Sequence, residues 1–156
     1  MTQADRVKIV TLWGVFLLGL LFHTQLALMP LFHGLSVQDL PTAISIDSIG
    51  WILWLMLAFF VVPMLMMVGI VFITDRRFYK LHYSITLIYS GLNFAHLLAD
   101  LQVKPVYWYQ IVLMTILLLI GLLLNLVSWR SLKFHRPIFR GVEHLSLSGK
   151  IGNDRG

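Results

Sequence analysis

The 156-residue sequence contains no cysteine. This absence excludes disulfide bonds, thiolate metal sites, thioether-linked haem and cysteine nucleophiles. Charged residues are also scarce, at 12% of the chain compared with roughly 25% in soluble domains. The sequence has no Gly-rich phosphate loop and no GxSxG or HExxH motif, so it contains no recognisable catalytic residues. Whether the protein is an enzyme is left open.

Hydrophobic residues make up 58% of the chain, and the mean hydropathy is +0.83. They form four runs, each long enough to supply the roughly 20 apolar residues that a transmembrane helix needs. The predicted spans cover about residues 7–29, 49–74, 78–101 and 105–129, and Pro30 is expected to end the first one. The sequence therefore predicts an all-α integral membrane protein built as a four-helix transmembrane bundle.

The basic residues predict the orientation of this bundle. All but one of the 12 lysines and arginines flank the same ends of the spans, and the exception is Lys104. By the positive-inside rule, the helices run up-down-up-down with both termini cytoplasmic. Residues 1–132 then form the four-span domain and residues 133–156 a basic cytoplasmic tail. The net charge of +5 is explained by membrane orientation, so we expect the lipid bilayer as a partner and no nucleic acid.

Tryptophan and proline positions predict two local features. Trp13, Trp51, Trp108 and Trp129 lie near span ends, where tryptophan side chains typically occupy the membrane interface. Pro63 lies near the middle of the second span. A proline there is expected to kink the helix and to leave the carbonyl of residue 59 in need of another donor.

The third span carries a polar stripe. Its members recur at intervals of four and three residues, which places them on one helix face: His82, Thr86, Tyr89, Asn93, His96 and Asp100. Polar groups avoid lipid, so we expect this face to point into the bundle. Ionisable residues inside a membrane indicate a functional site, and hydrogen bonding between helices is the competing interpretation.

Two histidines of different spans are predicted to lie at the same depth. His23 follows Lys8 at a helical rise of about 22 Å, and His96 follows Lys80 at about 24 Å. Both heights fall in the outer leaflet, which predicts a buried histidine site there. The candidate cofactor-binding residues are His23, His96, Asp100, Asn93, Tyr89 and Gln110, and the candidate metal ligands are His23 and His96.

Three functions remain open for this site. In the first, His23 and His96 bind haem b in an electron-transfer subunit, and Gly14, Gly19, Gly91 and Gly121 make room for the porphyrin. In the second, the histidines and Asp100 bind or transport a metal ion, with His33 and Asp39 as further candidate ligands. In the third, the protein is a non-catalytic accessory or assembly subunit, and its exposed faces bind other membrane protein subunits.

Overall fold

The computed structural model describes residues 2–35 and 49–134, which form four helices. These helices are α1 (Gln3–Phe32), α2 (Gly50–Phe72), α3 (Arg76–Asp100) and α4 (Trp108–Phe134). No strand occurs within these two ranges, so the predicted all-helical class is confirmed. Asp39 and nearly all of the predicted tail lie outside them.

Three of the four helices, α1, α2 and α4, are long and apolar enough to cross a membrane. Helix α3 is 25 residues long but is not among them, because the polar stripe and its terminal charges lower its hydropathy. Membrane insertion is therefore supported by three helices, and the crossing of α3 stays a prediction.

Side-chain caps define the starts of two helices. The Thr2 hydroxyl accepts a hydrogen bond from the Asp5 amide at 3.1 Å, and the Asp5 carboxylate accepts one from the Thr2 amide at 3.3 Å. This reciprocal pair is a capping box, and it satisfies two amides at the start of α1. The Asp75 carboxylate accepts a hydrogen bond from the Arg77 amide at 3.1 Å and so caps α3.

Helix α1 does not end at Pro30, and that prediction was wrong. The helix continues to Phe32, because a proline near the last turn removes only one amide donor. Its end is a Schellman motif, in which the Leu35 amide donates to the Pro30 carbonyl at 3.0 Å and the Gly34 amide to the Leu31 carbonyl at 3.1 Å. Gly34 has a φ of 74°, a conformation that glycine adopts without strain.

The helices pack around a shared core. Helices α1 and α3 each pack against both α2 and α4, and they meet each other only through long side chains. At one end, the Arg6 guanidinium donates to the Val71 carbonyl at 3.1 Å, which joins the start of α1 to the end of α2. At the other end, His23 of α1 lies beside Asp100 of α3. We call these ends the Arg76 end and the Asp100 end.

The outer surface of the bundle is strongly apolar. Leu18, Trp54 and Phe72 are 67%, 73% and 79% exposed, and many other large apolar side chains are exposed with them. An apolar surface of this extent fits a lipid environment. Trp51, Trp108 and Trp129 are exposed, but Trp13 is completely buried, so its predicted interfacial position was wrong.

Candidate functional site

Most of the polar stripe on α3 points into the bundle, as predicted. His82, Thr86, Tyr89 and Asn93 are all buried. The side chain of His96 is 54% exposed, so the prediction was wrong for this residue. At 3.6 residues per turn, His96 lies roughly 40° from the line through His82 and Asp100, and therefore at the edge of the buried face.

Near the Arg76 end, the stripe contributes to an aromatic cluster, which we call the Trp13 cluster (Trp13, His82 and Tyr89). The Trp13 indole N–H donates to His82 Nε2 at 2.9 Å, and both side chains are fully buried. The Trp13 ring meets the Tyr89 ring edge to face at 5.4 Å between centroids. Trp13 and His82 lie at similar heights on α1 and α3, but residue spacing along either helix does not reveal that they pair.

Tyr89 also satisfies the carbonyl that Pro63 leaves without its usual donor. Helix α2 continues through Pro63, which has no amide proton to offer the carbonyl of residue 59. The Tyr89 hydroxyl donates to this Phe59 carbonyl at 2.7 Å, and the two rings stack at 4.7 Å. Beside them, an open apolar groove of about 280 Å³ separates α2 from α3.

At the Asp100 end, α1 and α3 bring three chemically active side chains together. We call His23, His96 and Asp100 the Asp100 cluster. His23 Nε2 lies 3.3 Å from Asp100 Oδ2, and His96 Nε2 lies 3.6 Å from Asp100 Oδ1. The two imidazole rings meet edge to face at 5.3 Å between centroids. One potential ligand atom from each residue lies within 4.8 Å of the other two.

Two buried atoms of this cluster have no hydrogen-bond partner in the described part of the chain. They are His23 Nε2 and Asp100 Oδ2, whose short separation lacks the geometry of a hydrogen bond. Among the residues that the structure describes, Asp100 forms ion pairs with His23 and His96 and with no lysine or arginine. A carboxylate and an imidazole nitrogen that face each other in this way are stabilised by a shared proton or a bound cation.

The other predicted site residues do not join the Asp100 cluster. Tyr89 belongs to the Trp13 cluster, and Asn93 is buried without contacting either histidine through a hydrogen bond. The half-buried Gln110 side chain makes no hydrogen bond to any described residue, and His33 is exposed at the end of α1. The cluster thus comprises three of the six predicted residues, and both predicted metal ligands are among them.

Two of the four glycines expected to make room for a porphyrin are used in helix packing instead. A Cβ on Gly19 would collide with Leu117, and one on Gly121 would lie 3.0 Å from the Ser90 hydroxyl. A Cβ on Gly14 would make an ordinary contact with Met67 at 3.9 Å, so Gly91 alone of the four has open space beside it. These glycines therefore provide little room for a porphyrin between α1, α3 and α4.

Comparison of the chain with protein-family models, with curated proteins and with solved structures found no match.

Proposed function

We propose that this membrane protein binds a divalent transition-metal ion through His23, His96 and Asp100. The observation that carries the proposal is the convergence of two imidazole nitrogens and a carboxylate oxygen within 4.8 Å of one another. The unpartnered His23 Nε2 and Asp100 Oδ2 support it, since a cation between them would satisfy both. Burial of a carboxylate without a lysine or arginine beside it is costly in a membrane protein, so a bound cation would also stabilise the bundle.

The separation of the histidine rings favours a small ion over haem b. With metal–nitrogen bonds of about 2.0–2.1 Å, centroids of imidazoles on opposite sides of a metal lie roughly 6 Å apart, and those at a tetrahedral angle roughly 5 Å. The observed separation of 5.3 Å is closer to the tetrahedral value. Asp100 also lies within 3.3 and 3.6 Å of the two nitrogens, where a porphyrin plane would have to pass.

The ligand types narrow the choice of metal. Two imidazoles and one carboxylate suit Zn²⁺, Fe²⁺ or Mn²⁺, and they leave at least one coordination position for water or another ligand. Because His96 is half exposed, the ion can reach the site from the Asp100 end of the bundle. An ion held by three ligands at a solvent-accessible edge is exchangeable, which suits uptake, sensing or delivery of a metal.

The proposed setting is a four-span bundle, up-down-up-down, with cytoplasmic termini and the Asp100 cluster in the outer leaflet. The support is the distribution of lysine and arginine, together with the contacts that join His23 to Asp100 and Arg6 to Val71. Single cysteines test this topology without background labelling, because the chain has none of its own. A cysteine at Gln102 should react with an impermeant reagent added outside intact cells, and one at Thr74 should not. Reversed labelling would contradict the proposed orientation.

Metal binding is tested on protein purified in mild detergent and stripped with a chelator. Titration with Co²⁺, a coloured substitute for Zn²⁺, should produce visible absorption bands that saturate at one ion per chain. The variant His96→Ala should abolish these bands. Asp100→Asn replaces the anionic ligand with a neutral amide and should weaken Co²⁺ binding by at least roughly tenfold. Zn²⁺ should displace Co²⁺, since it binds such sites more tightly.

Two variants control for unspecific histidine effects. His33→Gln changes an exposed histidine on the same helix as His23 and should leave Co²⁺ binding unchanged. His82→Gln changes the histidine of the Trp13 cluster, which lies about 21 Å along α3 from His96, and should also retain one ion per chain. Equal loss of binding on substitution of His82 and His96 would contradict a single site at the Asp100 end. A sharp Soret band in the purified protein would instead support haem b.

A further inference from the structure

A second set of polar side chains lies on α3 and α4, and all of them are buried except Asn125, which is partly buried. We call it the polar seam: Ser90 and Asn93 on α3, and Asn125, Ser128 and Ser131 on α4. The Asn125 amide group donates to the Ser90 hydroxyl at 2.8 Å and thereby joins the two helices. Asn93, Ser128 and Ser131 are only 3%, 3% and 2% exposed. These residues are thus enclosed by the bundle and do not contact lipid.

Most polar atoms of the seam have no partner among the described residues. Both amide atoms of Asn93, the amide oxygen of Asn125 and the hydroxyls of Ser128 and Ser131 are buried and make no hydrogen bond there. Buried polar groups are satisfied by protein groups or by ordered water in nearly all proteins. The need is greater in a membrane, where lipid offers no alternative. Water is therefore the expected partner of these five atoms.

The spacing of the seam suits a file of single water molecules. Ser128 and Ser131 follow Asn125 at intervals of three residues, and Asn93 and His96 follow Ser90 in the same way. Each interval is a rise of roughly 4.5 Å along a helix. One water that forms two hydrogen bonds spans roughly 5.5 Å, so each step can be bridged by one molecule.

The seam extends from one end of the bundle to the other. Ser131 lies in the last turn of α4, while Asn93 lies one turn before His96 of the Asp100 cluster. The Ser90–Asn125 hydrogen bond connects the two halves of this line. Polar groups of the seam therefore extend from the last turn of α4 to the turn before His96.

We infer that the polar seam is a proton route, in which a file of water molecules connects the Arg76 end of the bundle with His23, His96 and Asp100. Serine hydroxyls and asparagine amides hold the waters, and protons pass along their hydrogen bonds. At the Asp100 end, each proton passes from the last water of the file to the water outside. One proton leaves the file for each that enters. This activity goes beyond metal binding and does not require an ion at the cluster.

Proton flux in vesicles tests the inference. The purified protein is reconstituted into liposomes that contain a pH-sensitive dye, and a valinomycin-mediated K⁺ gradient drives protons inward. The wild-type protein should acidify the vesicles faster than protein-free liposomes do. Asn93→Leu keeps the side-chain volume but removes both polar atoms. It should lower the flux by roughly tenfold, because a water file interrupted at one place loses at least one hydrogen bond.

Matched variants separate the seam from general leakage. Thr115→Val removes an exposed hydroxyl that bonds only to its own helix, and it should leave the flux unchanged. Asn93→Ser keeps polar atoms at the critical step and should retain most of the flux. Wild-type flux equal to that of empty liposomes would overturn the inference. Equal flux in wild-type and Asn93→Leu vesicles would overturn it as well.

A second measurement applies if Asn93→Leu fails to fold. A single cysteine in place of Ser128 is nearly isosteric, and silver ions bind a thiol only where water allows it to ionise. Ag⁺ should therefore protect Ser128→Cys from later labelling in denaturant, while Leu119→Cys, on the apolar surface, should remain unprotected. No protection of Ser128→Cys would show that the seam is dry. Co²⁺ binding is measured separately, so failure of the proton route leaves the metal proposal intact, and the reverse also holds.

Discussion

Helices α1 and α3 form two histidine clusters that differ in how their polar atoms are satisfied. In the Trp13 cluster, the Trp13 indole N–H donates to His82 at 2.9 Å and the Tyr89 hydroxyl donates to the Phe59 carbonyl at 2.7 Å, inside an aromatic core. In the Asp100 cluster, His23 Nε2 and Asp100 Oδ2 face each other at 3.3 Å, and neither makes a hydrogen bond to a described residue. Burial alone therefore does not show whether a histidine packs in the core or binds a ligand. The two roles are distinguished by whether each imidazole nitrogen has a hydrogen-bond partner within the protein.

The energetic reason lies in the low polarity of the surroundings. A hydrogen bond formed away from water stabilises the bundle. A buried donor or acceptor that is left without a hydrogen bond destabilises it by about 1–3 kcal/mol. Natural sequences retain such unsatisfied groups chiefly where a ligand, ion or water completes them. The contrast therefore agrees with a packing role for the Trp13 cluster and with the proposed ligand binding at the Asp100 cluster, and four predictions test it.

The largest effect is expected for Trp13→Ala. Removal of a fully buried indole leaves a cavity and an unpartnered His82, so the free energy of unfolding should fall by about 3–5 kcal/mol. The matched variant Trp54→Ala removes an exposed indole and should change the free energy of unfolding by less than about 0.5 kcal/mol. Denaturant titration in mixed micelles measures both. Similar losses in the two variants would mean that the Trp13 cluster is no special packing centre.

The next effect is stabilisation by metal at the Asp100 cluster alone. A Zn²⁺ concentration of about 100 times the Kd should raise the free energy of unfolding by about 2.7 kcal/mol. Thermal unfolding in detergent should show this gain for the wild-type protein and for Trp13→Phe, but not for His96→Ala. A gain that survives in His96→Ala would locate the ion elsewhere.

A smaller effect is expected where Tyr89 satisfies the Phe59 carbonyl. Tyr89→Phe leaves this carbonyl without a donor and should lower the free energy of unfolding by about 1–2 kcal/mol. Pro63→Ala restores an amide donor to the same carbonyl. In a Pro63→Ala background, the loss caused by Tyr89→Phe should therefore nearly vanish, which a double-mutant cycle measures. Additive losses would show that the two residues do not share this carbonyl.

The smallest effect is expected for His23→Leu in metal-free protein. This change keeps a buried side chain, and His96 still faces the Asp100 carboxylate at 3.6 Å, so the free energy of unfolding should change by less than about 0.5 kcal/mol. His82→Leu, at the corresponding place in the Trp13 cluster, leaves the indole N–H unpartnered and should lower it by about 1–3 kcal/mol. If His23→Leu proved as damaging as His82→Leu, the contrast between the clusters would be lost.

Much of the candidate site was predictable because it depends on periodicity and length. The intervals along α3 indicated one polar face, and the helical rise placed His23 and His96 at one height. The exposure of His96 was not predicted, because a difference of roughly 40° around a helix is smaller than a stripe read from residue spacing can resolve. The separation of Tyr89 and Gln110 from the cluster depended on which neighbour each side chain meets, and no interval in one helix contains that information.

The sequence by itself determined the helical class, the apolar lengths suited to a membrane and the identity of the three converging side chains. Apolar runs and polar periodicity are properties of single segments, so each can be read without knowledge of the others. The tertiary structure decided that α1 continues past Pro30, that Trp13 is buried against His82 and that Tyr89 serves the Phe59 carbonyl. Each of these features depends on a contact between residues distant in sequence or on the geometry of a helix end. Such contacts are selected by the packing of all four helices together, and local patterns do not encode them.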